Sequence, residues 1–328
     1  RQAAQSSCWT PAGTALPEET HTTCTRISHG LSELFNQMIF PLFPFSLRAI
    51  LWAQGESDRQ FFTRSQYNCL LSTLMSAWRL DFGFAAMPIV FSQMNSDQGT
   101  SDDDAVKIRF AVADSLPGDV ILSEPPTLRT PTPRTGMAVT YDLGSPMYQN
   151  EDQVWWHIHP RNKTEHGRRM ALQLLHLDGG IGSEEWSGPI VESTRIALNK
   201  FMSPTVEIAF SHAQALRVAP AAGCRRCCDE EALAEDDRHV FEVDVGGGTW
   251  RPARTSLSRE EGKAQVLVVT PKTPVQQIHG VRYAQLSVVQ CAVFNAADLP
   301  ALPFRYPVPW EARKHASFLS RRSATSGK

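Results

Sequence analysis

Apolar and polar positions along this chain fall into two regimes. Between residues 45 and 180, short apolar runs alternate with longer stretches of helical periodicity. "AILWA" (49–53) and "MPIVFSQM" (87–94) are continuous apolar runs, the pattern of strands covered on both faces. "GMAVTYDLG" (136–144) reads as a third strand ending in a turn. Between the first two, Tyr67, Leu70, Leu71, Leu74, Met75 and Trp78 share one helical face and predict a helix over 65–80. "DDDAVKIRFAVADSL" (102–116) opens with three acids and continues as an amphipathic pattern, which suits a helix N-terminus. "PRNKTEHGRRMALQLLHLDGG" predicts a further helix. Pro160 fits its first position, Met170, Ala171, Leu174 and Leu175 form its apolar face, and Gly179–Gly180 stops it.

Strand–helix alternation implies a parallel α/β sheet with helices on both faces. In such sheets ligands sit outside the carboxyl ends of the strands. "QGESD" and the His-Pro segment both fall at such ends. After about residue 200 the pattern changes: "TVEIAF", "VFEVDVGG", "AQVLVVTP" and "VRYAQLSVVQCAVF" are short, β-branched and alternating, which reads as antiparallel β. The expected organisation is an α/β domain over 1–200 with 1–30 loop-like, a β-rich domain over 201–310, and a basic, Ser-rich disordered tail over 311–328.

Composition narrows the function classes. The 328 residues are 42% hydrophobic and 20% charged, with net charge −2 and a pI near 6.6. Such a balance offers no polyanion-binding surface, so nucleic acid is not an expected partner. The chain has no apolar run of about 18 residues, so no membrane-spanning helix is expected. "RQAAQSSCWT" has neither an initiator Met nor a signal-peptide core and reads as a mature or partial chain. The seven cysteines are odd in number and too few for a disulfide scaffold. Cys224, Cys227 and Cys228 cluster in "CRRCCDEE"; zinc needs a fourth ligand, so an incidental or disulfide role is the plainer reading. "NKT" at Asn162 is the one glycosylation sequon.

Two segments carry candidate chemistry. In "WAQGESD", Gln54 and Gly55 at a strand end can aim amide donors into a cleft, as acyl transfer requires where an oxyanion develops. The plainer alternative is a polar strand-to-helix loop with Gly55 in the turn and Ser57 or Asp58 as the cap of the next helix. In "WWHIHPRNK", Pro160 keeps His159 extended and out of the helix, leaving its ring to face a cleft as a general base. The alternative is a helix-capping histidine. His157 and His159 with nearby His166 raise a metal reading, but alternate residues of an extended segment face opposite ways, and no metal or other cofactor is expected.

"LFNQMIFPLFPFSLRAILWAQGESD" resembles a segment of the sialate O-acetylesterases, carbohydrate esterases of the SGNH-hydrolase clan. "SDDDAVKIRFAVADSL", "GMAVTYDLGS" and "HIHPRNKTEHGRRMALQLL" are similar to three further motifs of that family, in the family order, from about residue 31 to 177. "HGVRYAQLSVVQCAVFNAADLPALPF" is similar to its ending. The resemblance implies an SGNH-like parallel sheet and metal-free removal of O-acetyl groups from sialic acid or related sugars. It implies an oxyanion-side, substrate-binding role for Gln54, Gly55 and Glu56, His159 as general base, and Asp152 as the acid that orients it. It also implies a secreted or lysosomal-type compartment. Ser57 is then not the nucleophile, which in the family belongs to an upstream Gly-Gln-Ser-Asn motif. That string does not occur here; the nearest is "AQSS" (4–7), with Ser6 and Ser7. The sheet is therefore expected to be incomplete, and the alternative is a non-catalytic relative that binds acetylated glycans.

Overall fold

The computed structural model describes residues 33–96, 101–117, 132–144, 159–160, 162–180, 185–220, 240–258, 265–289 and 291–308. The first half is built on three parallel strands, β1 (Ile50–Trp52), β2 (Ile89–Ser92) and β3 (Thr135–Ala138), in the order β1-β2-β3. All four residues of β2 and of β3 are buried, as continuous apolar runs predict. β1 departs from that expectation. Among the described residues it pairs with β2 alone, and Leu51 is 52% exposed while Ile50 is buried.

Helices cover both faces of the sheet. α1 (Arg64–Asp81) and α2 (Asp102–Ala113) pack against each other and, with Ile89, Phe91 and Met137, form one apolar cluster. α3 (Lys163–Leu177) covers the opposite face, where Met170, Leu174 and Leu177 meet Val90 and Ala138. Alternate strand residues therefore serve opposite helices, as the pleat dictates. The helix ends follow local chemistry. Thr63 and Gln66 form a reciprocal capping box at α1, and the Ser101 hydroxyl accepts from Asp104 N at α2.

α3 differs in two ways from expectation. It starts at Lys163 rather than at Pro160, because the Asn162 side chain accepts from Glu165 N and caps the first turn. Its buried positions are Arg169, Met170 and Gln173, whereas Ala171 is exposed and Leu175 is 47% exposed. The expected stop at Gly179–Gly180 holds: Gly179 has φ +72° and Gly180 N donates to Leu175 O.

The second half is antiparallel β. β4 (Ile190–Leu198), β5 (Pro204–Ser211), β7 (Phe241–Asp244), β8 (Trp250–Ser258), β9 (Val266–Pro271), β10 (Gly280–Tyr283) and β12 (Phe304–Pro307) form one sheet, ordered β12-β10-β7-β8-β9-β5-β4. β6 (Arg217–Pro220) and β11 (Cys291–Phe294) pair separately. Because β4 pairs along its length with β5, antiparallel pairing begins at Ile190, ahead of the break expected after residue 200. Residues 1–30 and 311–328, and Cys224, Cys227 and Cys228, lie outside the described residues. Cys69 in α1 and Cys291 in β11 are each disulfide-bonded, which cysteine spacing did not predict.

Candidate active site

The carboxyl ends of the three parallel strands open onto one edge. Gln54 and Gly55 lie beyond β1, Gln93 to Ser96 beyond β2, and Thr140 to Gly144 beyond β3. α3 runs antiparallel to β3: Arg169 reaches Val139 O beyond the strand's end, while Gln173 lies against Gly136 within it. The start of α3, with His159 just before it, is therefore at the same edge as Gln54.

Gln54 is held from two sides. Tyr67 OH donates to its Oε1 at 2.9 Å and approaches its backbone O at 3.1 Å. Its Nε2 donates to Asp58 Oδ2 at 2.8 Å. A carboxylate only accepts and a phenol here donates, so the amide has one orientation, with one Nε2 N–H left over. Burial, then the charges of Asp58 and Glu56, push the Tyr67 hydroxyl well above its usual range, keeping it a donor. Burial also raises the Asp58 carboxyl, and the Gln54 hydrogen bond offsets part of that shift. Gly55 has φ +143°, and a Cβ there would stand 2.8 Å from Ile108 Cγ2 on α2. Glu56 is half-buried, and its carbonyl accepts from Arg59. Ser57 is exposed and opens a short turn (Asp58–Gln60) without a side-chain capping bond. Neither Ser57 nor Asp58 caps α1.

His159 is exposed and Pro160 buried. The element behind them is fixed by Arg169. Its guanidinium donates to Asp142 Oδ1 and Oδ2 at 2.5 and 2.9 Å, to Val139 O at 2.8 Å and to Glu165 Oε1 at 2.8 Å. Arg169 and Asp142 side chains are 4% and 3% exposed, a buried pair whose geometry is satisfied on both sides. "GRRM" and "TYDLG" thus act together, tying the first turn of α3 to the loop after β3. Gly144 in the same loop lies against Ser96: a Cβ there would be 2.5 Å from Ser96 O. Asp152 and His157 lie outside the described residues.

The loop after β2 holds residues that pattern reasoning passed over. Gln93 and Asn95 are 2% and 3% exposed, yet Gln93 Oε1 and Asn95 Oδ1 have no hydrogen-bond partner among the described residues. Buried polar atoms are rarely left so, and these two lie at the edge where Gln54 sits. The readable signal was the polar string "SQMNS" closing a buried strand. The metal reading draws nothing from the geometry: among the described residues no three His, Cys, Asp or Glu side chains gather as a cation site. His166 is half-buried on the first turn of α3; burial, then Lys163 and Arg169, lower its pKa.

The second half of the chain braces this edge. Arg109 is fully buried and donates to Met94 O and Asn95 O on one side and to Leu286 O and Ser287 O on the other. Ser96 Oγ accepts from Val289 N, and Tyr141 OH meets Tyr283 OH at 2.8 Å.

Residues 21–117 match the family model described as carbohydrate esterase, sialic acid-specific acetylesterase. Over that segment the chain is similar to the sialate O-acetylesterases. The rat sialate O-acetylesterase is 25% identical over 294 residues, covering 83% of this chain and 46% of the relative. The human sialate O-acetylesterase is 28% identical over 315 residues, covering 91% and 52%. A carbohydrate acetylesterase from Xanthomonas citri has the same fold over 83% of this chain and 53% of its own, with a TM-score of 0.58 at 22% identity. The chain thus spans about half the length of the sialate O-acetylesterases it matches. The relatives are named as esterases, and the matched segment 21–117 contains β1, α1, β2 and α2.

Proposed function

We propose that this protein is a carbohydrate esterase that removes O-acetyl groups from sialic acid or related sugars by serine/histidine chemistry, with His159 as general base and Gln54 on the oxyanion side. The observation that carries this reading is that "QGES" and the His-Pro segment, over a hundred residues apart, come to one edge of one parallel sheet. In the reaction a serine attacks the acetyl carbonyl and His159 takes its proton. The carbonyl oxygen gains charge, which the spare Nε2 N–H of Gln54 and the Gly55 backbone are disposed to stabilise. His159 then protonates the departing sugar oxygen, and water releases acetate. Asp152 is the proposed orienting acid, and Glu56 a substrate contact.

A second reading is a relative that binds acetylated glycan without turning it over. Incubation with O-acetylated sialic acid and with a fluorophosphonate separates the two. On the esterase reading acetate is released, His159→Ala lowers the rate by roughly 10³-fold or more, Ser57→Ala leaves it unchanged, and no adduct maps to Ser57. Saturable binding with no acetate and no adduct anywhere establishes the second reading. An active protein indifferent to His159→Ala removes the base assignment.

We further propose a secreted or lysosomal-type compartment. The disulfide-bonded state of Cys69 and Cys291 supports it, because disulfides persist where the medium is oxidising. Denatured, unreduced protein is expected to titrate fewer than its seven cysteines as free thiols. Seven free thiols in protein from a secretory host would remove this argument.

A further inference from the structure

Among the described residues five asparagine and glutamine side chains are buried, and the fold uses three of them. Asn68 Nδ2 donates to Ala111 O and Ser115 Oγ, Gln173 Nε2 to Trp186 O, and Asn295 Nδ2 to Ser187 O and His212 O. Gln93 and Asn95 are the other two. Neither of their side-chain amides has a hydrogen bond among the described residues, and Gln93 Oε1 and Asn95 Oδ1 are shut off from solvent. A buried polar atom left unpaired lowers stability, so folding by itself gives no reason for these two amides.

The strand register adds an independent observation. Ile50 pairs with Ile89, Leu51 with Val90 and Trp52 with Phe91. Carried two residues on, the same register sets Gln54 beside Gln93, one strand spacing of about 4.8 Å away. Alternate residues of a strand share a face. Trp52 meets Trp78 of α1, and Phe91 lies in the same apolar cluster. Gln54 and Gln93 therefore both face the α1 side, where the Tyr67 hydroxyl holds Gln54. Gln93 adds a second carboxamide to the face that already carries the first.

The backbone that carries the two amides is fixed. Gln93 N donates to Ala138 O at 2.9 Å, and Thr140 Oγ1 donates to Gln93 O. Arg109 donates to Met94 O and Asn95 O, and Ser96 N donates to Tyr141 O at 3.1 Å. Side chains on a segment so held are positioned before a ligand arrives, which lowers the ordering cost of binding. Carboxamide chemistry indicates what they meet. One end donates and the other accepts, and a hydroxyl group does both in return. An apolar group matches neither end, and an acetate ion offers acceptors alone.

We propose that Gln93 and Asn95 bind hydroxyl groups of the sugar and form the wall of the substrate site next to Gln54. Binding then fills hydrogen bonds that the folded chain leaves open, so no protein partner has to be given up for them. A ligand without the matching hydroxyl leaves the amide unpaired, and sites built in this way reject such analogues strongly. The two residues thus select the sugar, while Gln54 serves the ester. The identity of the sugar rests on the esterase reading; the open amides beside Gln54 do not.

Titration calorimetry on the whole chain, with N-acetylneuraminate as probe, is run beside thermal melts. Gln93→Met and Asn95→Leu keep the size of the side chain and remove the amide. Each is expected to melt at or above the parental midpoint, because an unpaired polar atom leaves the interior. Each should weaken probe binding by about tenfold, the scale of one lost hydrogen bond. Gln173→Met is the control: the fold uses its amide, so its midpoint should fall and its probe affinity hold. Midpoints lowered in Gln93→Met and Asn95→Leu as in the control would show that the fold satisfies these amides, and would overturn the proposal. Unchanged affinity in variants that melt like the parent overturns it too, as does a parent that does not bind the sugar saturably. Acetate release from O-acetylated sialic acid, measured separately, decides the esterase reading. Probe binding lost in the variants, with no acetate released by the parent, upholds the sugar contacts and removes the catalysis; acetate release with undiminished binding in the variants does the reverse.

Discussion

Gly55 shows how one residue carries two constraints. Its φ of +143° lies where side chains are strained, and a Cβ would stand 2.8 Å from Ile108 Cγ2 and 3.3 Å from Tyr67 OH. The same Tyr67 hydroxyl holds Gln54, so a push at Gly55 is transmitted to the amide. Gly55→Ala is expected to destabilise by about 1–3 kcal/mol, read as a lowered thermal midpoint. Truncating Ile108 to Ala in the same chain removes Cγ2 and should relieve only the steric part, because the backbone strain remains. A Gly55→Ala protein as stable as the parent would mean that the turn is not held as described. The glycine and the polar cluster were readable in "WAQGESD"; the Tyr67 hydroxyl, thirteen residues beyond Gln54, was not, since its helical spacing marks it only as an apolar-face residue.

At the scale of the element, α3 couples the proposed base to the sheet. Its cap at Asn162, its Arg169 pair with Asp142 and its packing on Val90 and Ala138 all act on one segment. His166 adds a pH dependence. Burial, then Lys163 and Arg169, lower its pKa below the usual 6.5, and a helix N-terminus also disfavours an added positive charge. A histidine with a depressed folded-state pKa binds fewer protons folded than unfolded. Stability is therefore retained above the unfolded value of about 6.5 and lost as pH falls below it, down to the folded pKa. Urea unfolding at about pH 7.5 and about pH 5.5, either side of that value, should show this loss, and His166→Gln should diminish it. An unchanged pH dependence in the variant would place the titration elsewhere.

For the whole molecule, the decisive feature is the seam between the parallel and antiparallel parts. Arg109 satisfies carbonyls on both sides of it, and Asp102 Oδ1 accepts from Ser287 N at 2.6 Å. The seam holds the loop after β2, where Gln93 and Asn95 stand, so the β-rich part bears on the candidate site. Arg109→Leu would leave those buried carbonyls without their donor. Each such loss costs about 1–3 kcal/mol, so the expected result is a large fall in stability. Calorimetry should show one transition in the parent and a lower, split transition in the variant. A variant melting as one unit at the parental temperature would show that the two parts are joined by other contacts.

Much of this protein was decided locally and could be read along the chain. Strand and helix positions come from two- and 3.6-residue periods, which depend only on the geometry of neighbouring residues. α1, α2 and the three parallel strands lie close to where pattern put them. The order of the family motifs was equally a linear property. What the tertiary structure alone decided concerns residues far apart in sequence. Among the described residues it paired β1 with β2 alone, leaving Leu51 half exposed although its run looked fully covered. It turned α3 so that Arg169 and Gln173, rather than Ala171 and Leu175, face inward, because buried acceptors at Asp142, Val139 and Trp186 reward polar side chains there. It bonded Cys69 and Cys291 in disulfides, and it set Arg282 against Arg305. Pairing between distant segments depends on which surfaces meet after collapse, and a one-dimensional pattern does not encode that meeting.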